Sequence, residues 1–171
     1  MNIILIGYRG TGKSVVAKIL AEKLNMAVVG MDDEIVRHAG MSIPEVVEKF
    51  GWDHFRDIET RIALALAEKD NLIIDTGGGV IERPENMRAL EKTGPVFWLT
   101  ASVDTIVDRI KDDTNRPALV DGKTFTEEIA EVLEKRESRY RGAAQHEIDT
   151  DSYSPDQVAD RVLACLDKAK I

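Results

Sequence analysis

Short apolar runs alternate with longer stretches of helical spacing along this chain. The runs fall at residues 3–6, 27–29, 72–74, 96–99 and, with a weaker pattern, 147–149. Apolar positions recur at helical intervals over 15–24, 43–50, 55–67, 84–91, 103–110, 125–140 and 155–166. Strands that are apolar throughout, alternating with helices, predict a five-stranded, mainly parallel sheet with helices on both faces. Ligands of such sheets bind beyond the carboxyl ends of the strands. Two glycine clusters, at 7–12 and 77–79, lie at such ends and are expected to face one cleft. The polar stretch 111–126 holds Pro117 and Gly122 and interrupts two helices. It reads as a surface loop or as a mobile lid.

The first cluster reads Gly7-Tyr8-Arg9-Gly10-Thr11-Gly12-Lys13-Ser14. It follows an apolar run and opens a helical pattern at Val15, which is the setting of a phosphate-binding loop. Glycines let the chain coil and aim N–H groups inward, and the helix dipole adds positive potential at the same point. In that motif Lys13 reaches the β- and γ-phosphates and the Ser14 hydroxyl ligates Mg²⁺. Gly10, Thr11, Gly12, Lys13, Ser14 and Val15 are therefore the expected ATP-binding residues.

Composition narrows the setting. A chain of 171 residues suits one compact domain. A net charge of −8 disfavours a nucleic-acid backbone as partner. The single cysteine, Cys165, excludes an internal disulfide and reads as filler in the last helix. The opening residues 1–5 are too short for a signal segment, and no stretch has the apolar length of a membrane span. No apolar stripe is left over once the core helices are assigned. The expectation is a cytoplasmic monomer with no membrane, nucleic-acid or obligate protein partner.

A phosphate loop does not separate a kinase from an ATPase or a nucleotide sensor. Asp32, Asp33 and Glu34 follow the second run; one could orient a hydroxyl and accept its proton, or all three could favour a helix N-terminus. Asp75 closes an apolar strand, where a carboxylate commonly serves Mg²⁺, although capping of the next turn has the same pattern. Gly77-Gly78-Gly79 bares backbone to a ligand or makes a tight turn. Arg56, Arg116, Arg136, Arg139 and Arg141 are candidate partners for a carboxylate or phosphate, and each singly also suits a solvated surface. His38, His54 and His146 have no metal-ligand spacing. Trp98 reads as core, and Trp52 as core or a pocket wall.

Together these segments resemble the shikimate kinase family over essentially the whole chain. The resemblance rests on the phosphate loop, Asp32, Gly40-Met41-Ser42-Ile43, Phe55-Arg56-Asp57-Ile58-Glu59, Gly77-Gly78-Gly79, Arg116-Pro117-Ala118-Leu119, and Arg136 with Tyr140, in that order. It implies a P-loop kinase fold in a single domain, residues 1–171, with a lid near 111–126 and a substrate-binding helical segment near 31–62. It implies transfer of a phosphoryl group from ATP, with Mg²⁺, to the 3-hydroxyl of shikimate, on the route to chorismate and aromatic amino acids. By the same resemblance Asp32 orients the hydroxyl or acts as base, Arg56 and Arg136 clamp the carboxylate, and Gly77, Gly78 and Gly79 offer backbone. Arg116 closes over the phosphates and Arg109 lies against the adenine.

One position departs from the family pattern. The family usually has Asp-x-Asp after the second strand, and the first acid, which serves Mg²⁺ through water, falls here on Gly30. An alternative register makes Asp32 the first acid and Glu34 the second. In the main register Asp75 is the expected replacement, because waters on Mg²⁺ need an acceptor. Two other readings stay open: another small-molecule kinase of gluconate-kinase type, and a non-catalytic ATP-binding module.

Overall fold

The computed structural model describes residues 1–112 and 122–168. Among the described residues five strands form one sheet: β1 (Ile3–Ile6), β2 (Ala27–Gly30), β3 (Leu72–Asp75), β4 (Val96–Thr100) and β5 (His146–Asp149). Their order is β2-β3-β1-β4-β5 and every pairing is parallel. The sheet is thus wholly rather than mainly parallel. β1 sits at its centre and is buried at all four positions. Side chains of a strand alternate between faces. Ile4 and Ile6 accordingly enter one core group and Ile3 and Leu5 the other.

α1 (Lys13–Leu24) and α7 (Pro155–Lys168) cover the Ile3/Leu5 face through Val16, Ala17, Leu20, Val158, Ala159 and Val162. Cys165 packs against the same group. The other face is covered by α2 (Met31–Ala39), α3 (Ile43–Ala67) and α4 (Pro84–Leu90), joined by Tyr140 and Ala143 of α6 (Phe125–Ala143). α5 (Val103–Ile110) packs on α6 around Tyr8, Ile106, Ile110, Ile129 and Val132.

The two helical patterns, at 43–50 and 55–67, are two helical arms that meet end to end at Gly51, and the pair is labelled α3. Gly51, at φ of 84° and ψ of 169°, kinks the chain between them. Ser42 opens α3 with a reciprocal capping box to Glu45, and Thr124 opens α6 in the same way with Glu127. α2, which the apolar pattern does not outline, begins at Met31 with Asp32, Asp33 and Glu34 in its first turn. Three acids at a helix N-terminus are favourable in themselves. The segment 113–121, with Arg116 and Pro117 and so most of the expected lid, lies outside the described residues.

Candidate active site

The carboxyl ends of β1, β2 and β3 meet at one edge. Asp75, the last residue of β3, is the register partner of Leu5 in β1 and of Gly30 in β2. The phosphate loop leaves β1 and closes on α1 with Gly7, Gly10 and Gly12 at φ of 142°, 81° and 89°. The Thr11 hydroxyl donates to the Tyr8 carbonyl at 2.8 Å. Lys13 is buried, its ammonium donating to the carbonyls of Gly7 at 2.9 Å and Tyr8 at 3.0 Å. Arg109 braces the loop from α5: Nη1 donates to the Gly10 carbonyl at 2.9 Å and to Thr150 Oγ1 at 3.1 Å.

A cavity of about 810 Å³ opens beside this loop. Lys13, Ser14 and Val15 line it with Gly30, Asp32, Asp33, Asp75, Gly77 and Gly78. The Ser14 hydroxyl donates to Asp75 Oδ2 at 2.5 Å. A hydroxyl whose proton is committed in this way keeps its lone pairs for a cation. Burial pushes the Asp75 carboxyl above its ordinary range; the Lys13 ammonium and the Ser14 hydrogen bond oppose this, while Asp32 and Asp33 reinforce it. Asp33 Oδ2 lies 3.0 Å from where a side chain on Gly30 would begin, so its carboxylate borders the space the glycine leaves. An all-oxygen set of this kind suits Mg²⁺. Glu34 instead pairs with Arg37 at 2.6 Å, and that pairing gives the alternative register no support.

A second cavity, of about 540 Å³, is lined by Trp52, Arg56, Glu82, Arg136 and Arg139 among others, and two of these arginines touch the glycine run. Gly78 lines the first cavity, and its carbonyl accepts from Tyr140 Oη and, at 3.4 Å, from Arg136 Nη1. Burial pushes the Tyr140 phenol far up, so it stays a donor. Gly79 lies directly against the Arg56 guanidinium, 2.2 Å from the point where a Cβ would stand. The run therefore makes room for a side chain of the protein itself. Arg56 is fixed by Glu59, which is fully buried and accepts from its Nη1 at 2.6 Å, and by the rings of Trp52 and Phe55, 5.6 and 5.0 Å away. Arg136 donates from Nε to Glu82 Oε1 at 2.6 Å, and Arg139 donates to Glu82 Oε2.

A sequence profile described as "Shikimate kinase" matches residues 9–167 of this chain. The chain belongs to the shikimate kinase family. A shikimate kinase of Thermodesulfovibrio yellowstonii is 43% identical over 162 residues, 95% of this chain and 92% of that protein. The solved shikimate kinase of Acinetobacter baumannii, in complex with shikimate, superposes with a TM-score of 0.94 at 32% identity, covering 99% of this chain and 94% of that one. That of Aquifex aeolicus gives 0.86 at 30% identity, covering 100% and 99%. Membership in the shikimate kinase family carries the activity: ATP-dependent phosphorylation of shikimate with Mg²⁺.

Set against the sequence expectations, Lys13, Ser14, Asp32, Asp75, Gly77 and Gly78 share the first cavity, and Arg56 and Arg136 share the second. Arg109 uses its guanidinium edge to hold the loop and Thr150. Arg141 leaves the site: it pairs with Glu147 at 2.9 Å and covers the Trp98 ring. Arg116 lies outside the described residues. Sequence reasoning missed Glu82 and the placement of Arg9, which lines the first cavity. A charged residue inside a phosphate-loop motif was the one available signal for Arg9.

Proposed function

We propose that phosphoryl transfer to the 3-hydroxyl of shikimate takes place between the two cavities, at Gly78 and Gly79. The observation that carries this reading is the arginine pair. Arg56 and Arg136 are each held by a carboxylate and both line one cavity, and Arg136 also bonds the carbonyl of Gly78, which lines the cavity of Lys13 and Asp32. A cyclic hydroxy acid placed with its carboxylate on the arginines would reach Asp32 with its hydroxyl. The helical segment 31–62 then serves as the acceptor-binding part of a single domain, since it supplies both Asp32 and Arg56.

In this mechanism Arg56 and Arg136 bind and orient the carboxylate. Asp32 aligns the hydroxyl and takes its proton as the acceptor oxygen bonds to phosphorus and the bond to the β-phosphate oxygen breaks. Lys13 moves from the Gly7 and Tyr8 carbonyls to the β,γ-phosphates, exchanging neutral acceptors for charged ones. Ser14, and Asp75 through water, would hold Mg²⁺, which would supply neutralisation of the phosphate charge. Val15 and Arg109 complete the nucleotide side, Arg109 against the adenine, and Arg116 supplies a further cation from the segment 111–126. We read the protein as a cytoplasmic monomer: the single cysteine suits a reducing compartment, and the sequence leaves no long apolar stripe once the core helices are assigned; among the described residues no helix is long and apolar enough to cross a membrane.

A coupled ADP-release assay across a panel of hydroxy acids tests the reading. Shikimate-dependent turnover is expected, with loss when the ring carboxylate is replaced by an amide. Equal turnover with gluconate or with the amide refutes it.

A further inference from the structure

Four arginines line the two cavities among the described residues, and they are not held alike. Arg56, Arg136 and Arg139 each donate to a carboxylate within hydrogen-bond distance. Arg9 does not. Its nearest carboxylate oxygen, Glu128 Oε1, stands 3.9 Å from Nη2, and its guanidinium lies over the Phe125 ring with 5.6 Å to the centroid. The Tyr8 phenol interacts with the same side chain, but among the described residues the buried Nε has no hydrogen-bond partner, and the side chain is only 18% exposed. Guanidinium donors taken from water normally find acceptors, and leaving one unpaired is costly. An arginine left in this state inside a phosphate-binding loop points to an anionic acceptor that arrives with a ligand.

Its position says which anion. The side chain lines the cavity of Lys13, Ser14 and Asp32. Its backbone nitrogen lies 3.4 Å from where a Gly78 side chain would begin. Arg9 therefore stands where the nucleotide loop touches the glycine run that borders the acceptor cavity.

Resting on the phosphoryl-transfer reading above, we propose that Arg9 is a further catalytic residue: its guanidinium leaves the Glu128–Phe125 contact and bonds the phosphoryl group in transit between ATP and the acceptor. Charge on the equatorial oxygens of that group is met by Lys13 from one side and Arg9 from the other. No atom is transferred to or from Arg9, so the proton and leaving-group balance stays as described.

The test compares wild type with Arg9→Met, which keeps an unbranched stem over Phe125, and Arg9→Lys, which keeps the charge. With ATP, Mg²⁺ and shikimate, Arg9→Met is expected to lose about 10²-fold or more in kcat, with both KM values within about threefold, since arginines on transferring phosphoryl groups carry effects of 10³ or larger. Arg9→Lys recovers part of that loss. Affinity for Mg·ADP with aluminium fluoride and shikimate falls in step with kcat, while affinity for Mg·ADP alone is unchanged. A kcat for Arg9→Met within twofold of wild type overturns the proposal, as does a deficit confined to the KM for shikimate. Should Arg9→Met not fold, Arg9→Lys carries the same comparison against the transition-state complex. Wild type that turns over no shikimate refutes the underlying reading instead, so the two failures are distinct.

Discussion

Replacing Gly79 with alanine adds one methyl group against Arg56, which lines the acceptor cavity. That Cβ would stand 2.2 Å from Arg56 Nη2, 2.3 Å from Nη1 and 2.5 Å from Cζ, whereas ordinary contact begins at 3.4 Å. The guanidinium must retreat by about 1.2 Å, the difference between 3.4 and 2.2. It has little freedom to do so, because Glu59 holds Nη1 at 2.6 Å from a fully buried site and two aromatic rings flank it. A hydrogen bond to a charged group contributes roughly 1.5–3 kcal/mol, and a displacement of that size forfeits most of it. At about 1.4 kcal/mol per decade, the KM for shikimate should rise about 10- to 100-fold. The KM for ATP and kcat should move less than about threefold, because Lys13 and Asp32 lie in the other cavity. ADP release measured against shikimate concentration reads all three. The double variant Gly79→Ala/Arg56→Ala should bind shikimate no worse than Arg56→Ala alone, since both changes act through one group. A shikimate KM for Gly79→Ala within twofold of wild type would refute the reasoning.

Two further substitutions probe the carboxylates. Asp75 has its folded pKa raised, chiefly by burial, so the folded protein holds more protons than the unfolded chain from about pH 4 upward through the raised value, and stability falls as pH rises across that window. Asp75→Asn removes this penalty: its thermal midpoint should exceed that of wild type at pH 7, the gap closing in acid, while affinity for Mg·ADP weakens about tenfold; equal midpoints at all pH values, or unchanged Mg²⁺ dependence of binding and turnover, would count against it. Glu82→Ala strips Arg136 and Arg139 of their shared partner, so the KM for shikimate should rise about tenfold and denaturant unfolding should show a loss of about 1–3 kcal/mol, less than for a fully buried pair because Glu82 is 28% exposed; tighter shikimate binding would mean that Glu82 competes with the substrate.

The phosphate loop and β1 were legible because their signals are local. An apolar run, a glycine spacing and a helix start sit within a dozen residues of one another, and the parallel sheet followed from strands with no polar face. α2 escaped the periodic reading because its first turn is three acids in succession, which hides the apolar face formed by Met31 and Ile35. The break between the two helical patterns was legible as well: Gly51, at φ 84° and ψ 169°, separates the two arms of α3. The glycine run reads in the sequence as backbone bared for a ligand or as a tight turn. Gly79 also lies against Arg56, from a helix 23 positions earlier in the chain, a contact no local pattern encodes. Glu82 was invisible for the same reason. Its role exists only once the short helical turn at Val80–Glu82 packs against α6, which brings two arginines one turn apart onto one carboxylate.

Both tryptophans occupy informative places. Trp52 borders the acceptor cavity with the Arg56 cation 5.6 Å from its ring, whereas Trp98 is interior, stacked on Tyr140. Each indole has a guanidinium beside it, Arg56 for Trp52 and Arg141 for Trp98, but only Arg56 lines the acceptor cavity, so an arriving carboxylate should change the emission of Trp52 and leave that of Trp98 unaltered. The protein therefore carries its own optical gauge of occupancy, with an internal reference, and titration by unlabelled acceptor can be followed in a fluorimeter without turnover.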